Sequence, residues 1–245
     1  MVCRRRVVIV PLCLVLGAWT SHAWDLGKSL DAAGDAVKGA SLSDADARSM
    51  ALQAVGYMDK KNKVAPATNP YAKRLKALVA SSSSENGLPL NYKVYVVKDV
   101  NAFSTADGSV RVFSGLMDMM TDDELRFVIG HEIGHVALGH SKKKLQVAYS
   151  TKAAREGASA AGGTAGVVAE SQLGGFAEAL VNAQFSQSEE LAADKFGLQF
   201  MKAHGYPATA GPSALRKLGN LNDKSSFLAS HPAPADRAAK LEKML

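Results

Sequence analysis

The run His131-Glu132-Ile133-Gly134-His135 narrows the fold more than any other part of the chain, because its chemistry works only on a helix. There the two histidines fall one turn apart, about 40° around the axis at about 100° per residue, with a carboxylate between them. This is the smallest apparatus that holds zinc and takes a proton from water, and it points to hydrolysis of peptide bonds. The pattern is short: with 6 His in the chain, HExxH arises by chance in roughly one shuffled sequence in two hundred. Its surroundings support it. Phe127-Val128-Ile129-Gly130, Ile133 and Val136-Ala137-Leu138 are apolar, so the helix is expected to be buried, and His131, Glu132 and His135 then need polar partners or a metal. Histidines satisfied within an ordinary core are the alternative, which a trio on one apolar helix disfavours.

Catalytic zinc keeps three protein ligands and an open position for water, so a third group is required. The candidates are His140, His204, His231 and the acids. A metzincin would write HExxHxxGxxH, but Gly139 comes one residue late for that pattern and His140 one early. Five residues past His135, His140 lies about 140° around the helix, on the wrong face. His204 precedes Gly205 and reads as the end of a helix. Glu190 is favoured, on a helix opened by Ser186 with Glu189 three residues later. Asp194 lies one turn beyond it on the same face, so Glu190 can reach a metal while Asp194 accepts a proton from a ligating imidazole.

Arg4-Arg5-Arg6, the apolar run Val7 to Gly17 and Ser21-His22-Ala23 have the three regions of a secretory signal peptide, residues 1–23. The run is about eleven residues, too short for a membrane-spanning helix. Cys13 follows Pro11-Leu12 inside it, which disfavours a lipoprotein. The expected mature chain from Trp24 contains neither Cys3 nor Cys13, so cysteine-protease chemistry is excluded if cleavage occurs there. The leader carries three Arg and no acid, and its removal takes the net charge from +6 to +3. Nothing in that mild balance argues for nucleic acid.

Residues 24–40 read as a loosely held segment, and 41–245 as one domain. Helices are expected from Ser43-Asp44-Ala45-Asp46 to about Asp59 and from Pro70 to Ala80. Asn91 to Val97 reads as a strand, and Asn101–Thr105 and Val110–Phe113 as a hairpin around Ala106-Asp107-Gly108-Ser109. The fold class is therefore α+β, a mostly helical body with a small sheet beside the HExxH helix. Thr121 and Glu124 form a capping box that starts that helix. Lys142-Lys143-Lys144 reads as solvated charge complementing its dipole. Ala153 to Gly175 reads as a mobile excursion near the site, with Gly162-Gly163 and Gly174-Gly175 interrupting any helix.

From about Ser41 onward the chain resembles gluzincin metallopeptidases of the HtpX, Oma and CAAX prenyl protease type, with the nearest likeness to LoiP-type periplasmic proteases. The likeness is carried by Tyr92-Lys93-Val94-Tyr95, Asp99 to Phe103, Ser114 to Met120, His131 to His140, Phe185-Ser186-Gln187 and Glu190 to Asp194. It implies a zincin-like fold, one zinc per chain held by His131, His135 and Glu190, and Asp194 behind them. It also matches Ser230-His231-Pro232 and Arg237 to a C-terminal motif whose His and Arg lie near the zinc, which gives His231 a catalytic or access-regulating role and Arg237 a supporting one. On composition alone, His231 before Pro232 is a loop residue. The strand Asn101-Ala102-Phe103-Ser104 is expected to bind an extended substrate by strand addition, an ordinary edge strand being the alternative. Absence of a cysteine at the leader boundary departs from lipidated relatives.

The expected activity is that of an exported zinc endopeptidase, with Glu132 as general base, acting on misfolded or envelope proteins. Its partners are a protein or peptide substrate, with peripheral membrane or outer-membrane assembly association as a further expectation. Two rivals remain: an exported chaperone with a latent metal site, and a membrane-active protein using Trp24 and the Ala153 to Gly175 segment.

Overall fold

The computed structural model describes residues 42–85, 87–156, 172–221 and 225–245, and side chains throughout these except in 151–156. The expected leader and the segment 24–40 lie outside the described residues. Helix α1 (Asp44–Lys61) starts where Ser43 Oγ accepts the Asp46 N–H. Asn69 caps α2 (Pro70–Leu78), whose first residue needs no N–H. A two-residue pair, β1 (Ser84–Glu85) and β2 (Leu88–Pro89), precedes the main sheet of β3 (Asn91–Tyr95), β4 (Ala102–Ser104) and β5 (Ser109–Phe113). The sheet order is β3-β5-β4, with β3 parallel and β4 antiparallel to β5.

The expected hairpin is present. Thr105 and Ser109 close it, and Gly108 turns at φ 88°, a conformation that favours glycine. β3 stops at Tyr95 because Val96 and Val97 turn to other partners: the Val96 N–H bonds the Lys63 carbonyl and the Ser114 hydroxyl donates to the Val97 carbonyl. A short α3 (Ser114–Met119) leads into α4 (Asp122–Ala137), opened by the Thr121–Glu124 capping box. Then come α5 (His140–Glu156), α6 (Leu173–Asn182), α7 (Gln187–Ala203), α8 (Ala210–Gly219), α9 (Ser226–Ser230) and α10 (Pro234–Glu242). The result is a mostly helical α+β body. No helix among the described residues is long and apolar enough to cross a membrane.

Two expectations are corrected. Gly174 and Gly175 do not break a helix; they lie in the first turn of α6, which packs against α1, and a Cβ at Gly174 would sit 2.9 Å from the Tyr57 hydroxyl. Close packing replaces the stabilisation that glycine withholds. Of the excursion, 157–171 lies outside the described residues. The three lysines are also not alike, since Lys142 and Lys143 pair with Asp44 and Glu189 whereas Lys144 is buried.

What positions the site is the crossing of α4 over α7, the most extensive helix contact of the fold. Glycines let the axes approach: a Cβ at Gly134 would sit 2.9 Å from Phe196 Cβ, and one at Gly197 would sit 3.3 Å from the His131 backbone nitrogen. Below lies a core of Phe127, Ile129, Ile133, Met201 and Leu215 with the sheet residues Val94, Val110 and Val112. Replacing Gly134 by Ala should raise helix propensity by up to about 1 kcal/mol yet overpack the crossing by about 1–3 kcal/mol. A net loss of about 1–2 kcal/mol in denaturant unfolding is expected; a more stable variant would mean that the crossing is looser than these distances imply.

Candidate metal and catalytic site

The crossing brings one face of α4 against one face of α7. His131 and His135, one turn apart, turn their Nε2 atoms to each other at 3.0 Å. Opposite them is Glu190, with Oε1 3.3 Å from His135 Nε2 and Oε2 3.8 Å from His131 Nε2. Ser186 and Glu189 form the capping box that starts α7 one residue before, and this fixes where Glu190 emerges. His231 arrives as the C-terminal cap of α9, where its backbone N–H donates to the Phe227 carbonyl, and places Nδ1 3.0 Å from Glu190 Oε1. Donor atoms of His131, His135, Glu190 and His231 all lie within 4.8 Å of one another.

The outer contacts give each group its state. Asp194 Oδ1 lies 2.9 Å from His131 Nδ1, and a carboxylate can only accept, so Nδ1 carries the hydrogen and Nε2 the lone pair. Arg237, in the first turn of α10, donates from Nε and Nη2 to the two oxygens of Asp194 at 2.7 and 2.6 Å, and its Nη1 also contacts Glu190. Ala233 makes this possible: its left-handed backbone, φ 51°, turns the chain between α9 and α10 so that His231 and Arg237 both face inward.

Burial works against a charge on His131, but the Asp194 hydrogen bond and carboxylate outweigh it and raise the ring's pKa. His135 is driven well below the ordinary value, chiefly by burial, and stays neutral. For Glu190 burial is the largest influence and raises its pKa, yet His231 and His135 together hold it well below the usual carboxylate range. Asp194 follows the same pattern, with Arg237 overcoming burial.

Does this donor set fit a metal? Two imidazole nitrogens and an ionised carboxylate converge, which is a zinc ligand set. Both Glu132 oxygens and His231 Nε2 are buried without a hydrogen-bond partner among the described residues, although His231 Nε2 stands 3.5 Å from Glu132 Oε1. Such groups need an ion, a water or a substrate to complete them. Zinc with a water fits that need.

The catalytic, metal-binding and substrate residues expected from the sequence all lie among the described residues. His131, Glu132, His135, Glu190, Asp194, His231 and Arg237 meet in one buried cluster. Asn101, Ala102, Phe103 and Ser104 lie at the sheet edge beside α4, but they are buried too. Phe103 shares a cluster with Leu145 of α5 and Phe176 and Leu180 of α6, and Ser104 Oγ lies 3.2 Å from Ser141 Oγ.

Three contributors escaped the sequence reading. His140 is not on the HExxH helix: that helix ends at Ala137, Gly139 turns at φ 75°, and the reversed chain brings His140 Nδ1 to 3.1 Å from His135 Nδ1. The angle expected of one continuous helix therefore does not apply, and the glycine was the signal; His140 stays outside the group of donors that could hold a metal. Phe185 stacks on the His135 ring at 3.7 Å and 16°. Behind Phe185 lies the ammonium of Lys144, 4.4 Å from its ring centre. Burial pulls the pKa of Lys144 down to about 8, against the opposing pull of Glu132 and Glu190.

Known proteins resemble the chain over most of its length. The model of "Peptidase family M48" matches residues 66–245. Metalloprotease LoiP of Escherichia coli K12 is 48% identical over 236 residues, covering 95% of this chain and 94% of that protein. Metalloprotease YcaL of the same organism is 42% identical, covering 94% and 92%. The putative beta-barrel assembly-enhancing protease of Vibrio cholerae serotype O1 is 28% identical over 185 residues, covering 70% of this chain but 38% of its own length.

Proposed function

The chain belongs to peptidase family M48 and is a metalloendopeptidase, and on that premise we propose that it is an exported zinc protease acting on unfolded or cell-envelope proteins. The observation that carries the reading is the convergence of His131, His135 and Glu190 beside the unpartnered carboxylate of Glu132. In it, His131 and His135 through Nε2, and Glu190 through its carboxylate, hold one zinc. Zinc supplies the acidification of a water and the polarisation of the peptide carbonyl.

The protein's own groups do the remaining work. Glu132 takes the proton of the attacking water at a carboxylate oxygen and delivers it to the departing amine nitrogen. His231 keeps Nδ1 on Glu190, which turns its Nε2 towards Glu132 and the reacting carbonyl. Asp194 orients His131, and Arg237 holds Asp194 in place and neutralises the buried carboxylates of Asp194 and Glu190. An extended substrate adds to the edge of β4, and because residues of α5 and α6 pack with Phe103 and Ser141 of α5 meets Ser104, those contacts must yield as it binds.

Export rests on the three-part leader at residues 1–23, and the envelope assignment is in keeping with the names of the assembly-enhancing relatives. Metal analysis of Glu190→Ala, paired with digestion of a denatured protein, tests the central reading. Wild type should carry one zinc per chain, and the variant well under half that with hydrolysis at background. Stoichiometric zinc in the variant would remove Glu190 as a ligand.

A further inference from the structure

Lys144 is a charge that the reaction scheme above does not use. Its side chain projects from α5 one turn beyond His140, and the residue is 7% exposed. Its ammonium donates to one backbone carbonyl, that of Val181 at 3.3 Å. Its other face rests on the ring of Phe185, 4.4 Å away. A desolvated ammonium with one hydrogen-bond acceptor among the described residues is costly, and replacement by an apolar chain of similar volume is often neutral or stabilising. Stability alone therefore gives little reason for a lysine here.

The second contact of Phe185 supplies a reason. That ring lies on His135 at 3.7 Å between centres and nearly parallel, 16° between planes, so Phe185 touches both the ammonium and the imidazole. At the edge of the same imidazole His140 meets Nδ1 at 3.1 Å, which leaves Nε2 as the inward atom. The Phe185 main chain is itself pinned, its N–H bonding the Ser230 carbonyl next to His231. His135 is therefore held on its face and on its edge, where His131 is held by a carboxylate that an arginine fixes in turn.

We propose that Lys144 is a positioning residue for the metal site: by its cation–π contact it fixes the plane of Phe185, and Phe185 fixes the plane of the His135 imidazole, presenting Nε2 to zinc at a set angle. The device needs a cation that can rest on an aromatic face, and arginine can do so as well as lysine, whereas methionine fills the same space without charge. It differs from simple packing in predicting that charge, not volume, is what counts.

The inference rests on the zinc reading, and its test separates the two. Full-length protein is stripped of metal, checked by circular dichroism and thermal melting, and titrated with zinc against a chromophoric chelator. Wild type must bind one zinc tightly; if it does not, the zinc reading itself fails. Given that it does, Lys144→Met is expected to bind zinc about 10–100-fold more weakly while its metal-free form melts no lower than wild type. Lys144→Arg should recover affinity to within about 3-fold. Cobalt-loaded protein should show shifted ligand-field bands in the methionine variant and near wild-type bands in the arginine variant. Should Lys144→Met fail to fold, Phe185→Leu decides, with the same weakening expected. Wild-type zinc affinity in a folded Lys144→Met or Phe185→Leu protein overturns the proposal, as does an arginine variant that binds as weakly as methionine.

Discussion

Glu132→Gln should retain one zinc per chain and lose hydrolysis of an unfolded protein by about 10²–10⁴-fold, the usual worth of a positioned general base. The substitution is nearly isosteric, and Glu132 is 0% exposed, so the pocket keeps its shape. What disappears is the ability to hold a proton at a carboxylate oxygen and return it to the leaving nitrogen. Both oxygens lack hydrogen-bond partners among the described residues, so the residue has no structural bond whose loss would confuse the result. Metal analysis and single-turnover digestion are the two measurements. Cleavage at the wild-type rate by a zinc-loaded variant would sink the mechanism, and so would loss of the metal, since Glu132 is not among the proposed ligands. The chaperone alternative makes the opposite forecast, with Glu132→Gln fully active in suppressing aggregation and wild type cleaving nothing.

Arg237→Met should give the largest effect on stability, about 3–5 kcal/mol in the metal-free protein, because it leaves buried carboxylates without their cation. Arg237 is 3% exposed and reaches Asp194 by two hydrogen bonds and Glu190 by a third contact. Zinc should shrink the deficit, since the metal compensates Glu190 directly.

The sign of the pH dependence distinguishes this account from a loss of packing. In wild type, burial would raise the pKa of Asp194, but Arg237 and His131 hold it below the ordinary value. Its contribution is thus present at neutral pH and lost as pH falls below the usual carboxylate range. In the methionine variant the guanidinium is gone and burial dominates, so the folded-state value moves above the unfolded one. Acidification from pH 7 to about 5 should then narrow the gap between variant and wild type. A gap that stays constant over this interval would mean that the arginine acts only as filler.

How much of this was legible along the chain varies by the range of the interaction involved. The capping boxes at Thr121–Glu124 and Ser186–Glu189, the cap at Ser43 and the hairpin around Gly108 were all readable, because each is closed by groups within a few residues. The same locality made the pairs His131–His135 and Glu190–Asp194 readable, since helix pitch alone puts each pair on one face. Spacing misleads about the path of the chain to His140, where local geometry changes at Gly139, and about Gly174-Gly175, where packing against α1 overrides low helix propensity. Lys144 was taken for a solvated cation because nothing in Lys142-Lys143-Lys144 distinguishes the third lysine from the other two; only the position of Phe185, 41 residues on in sequence, does so.

The sequence by itself therefore determined the chemical class of the site, through two helices that each carry their donors at a spacing of one turn. Tertiary structure alone decided that those helices cross at Gly134 and Gly197 closely enough for the donors to meet, and that the turn through Ala233 delivers His231 and Arg237 to them. It also decided that an ammonium and a phenyl ring would stand behind His135. Helix pitch is a property of every polypeptide and can be read from spacing. Which distant segments share a boundary depends on the close packing of the whole core, and no local pattern encodes it.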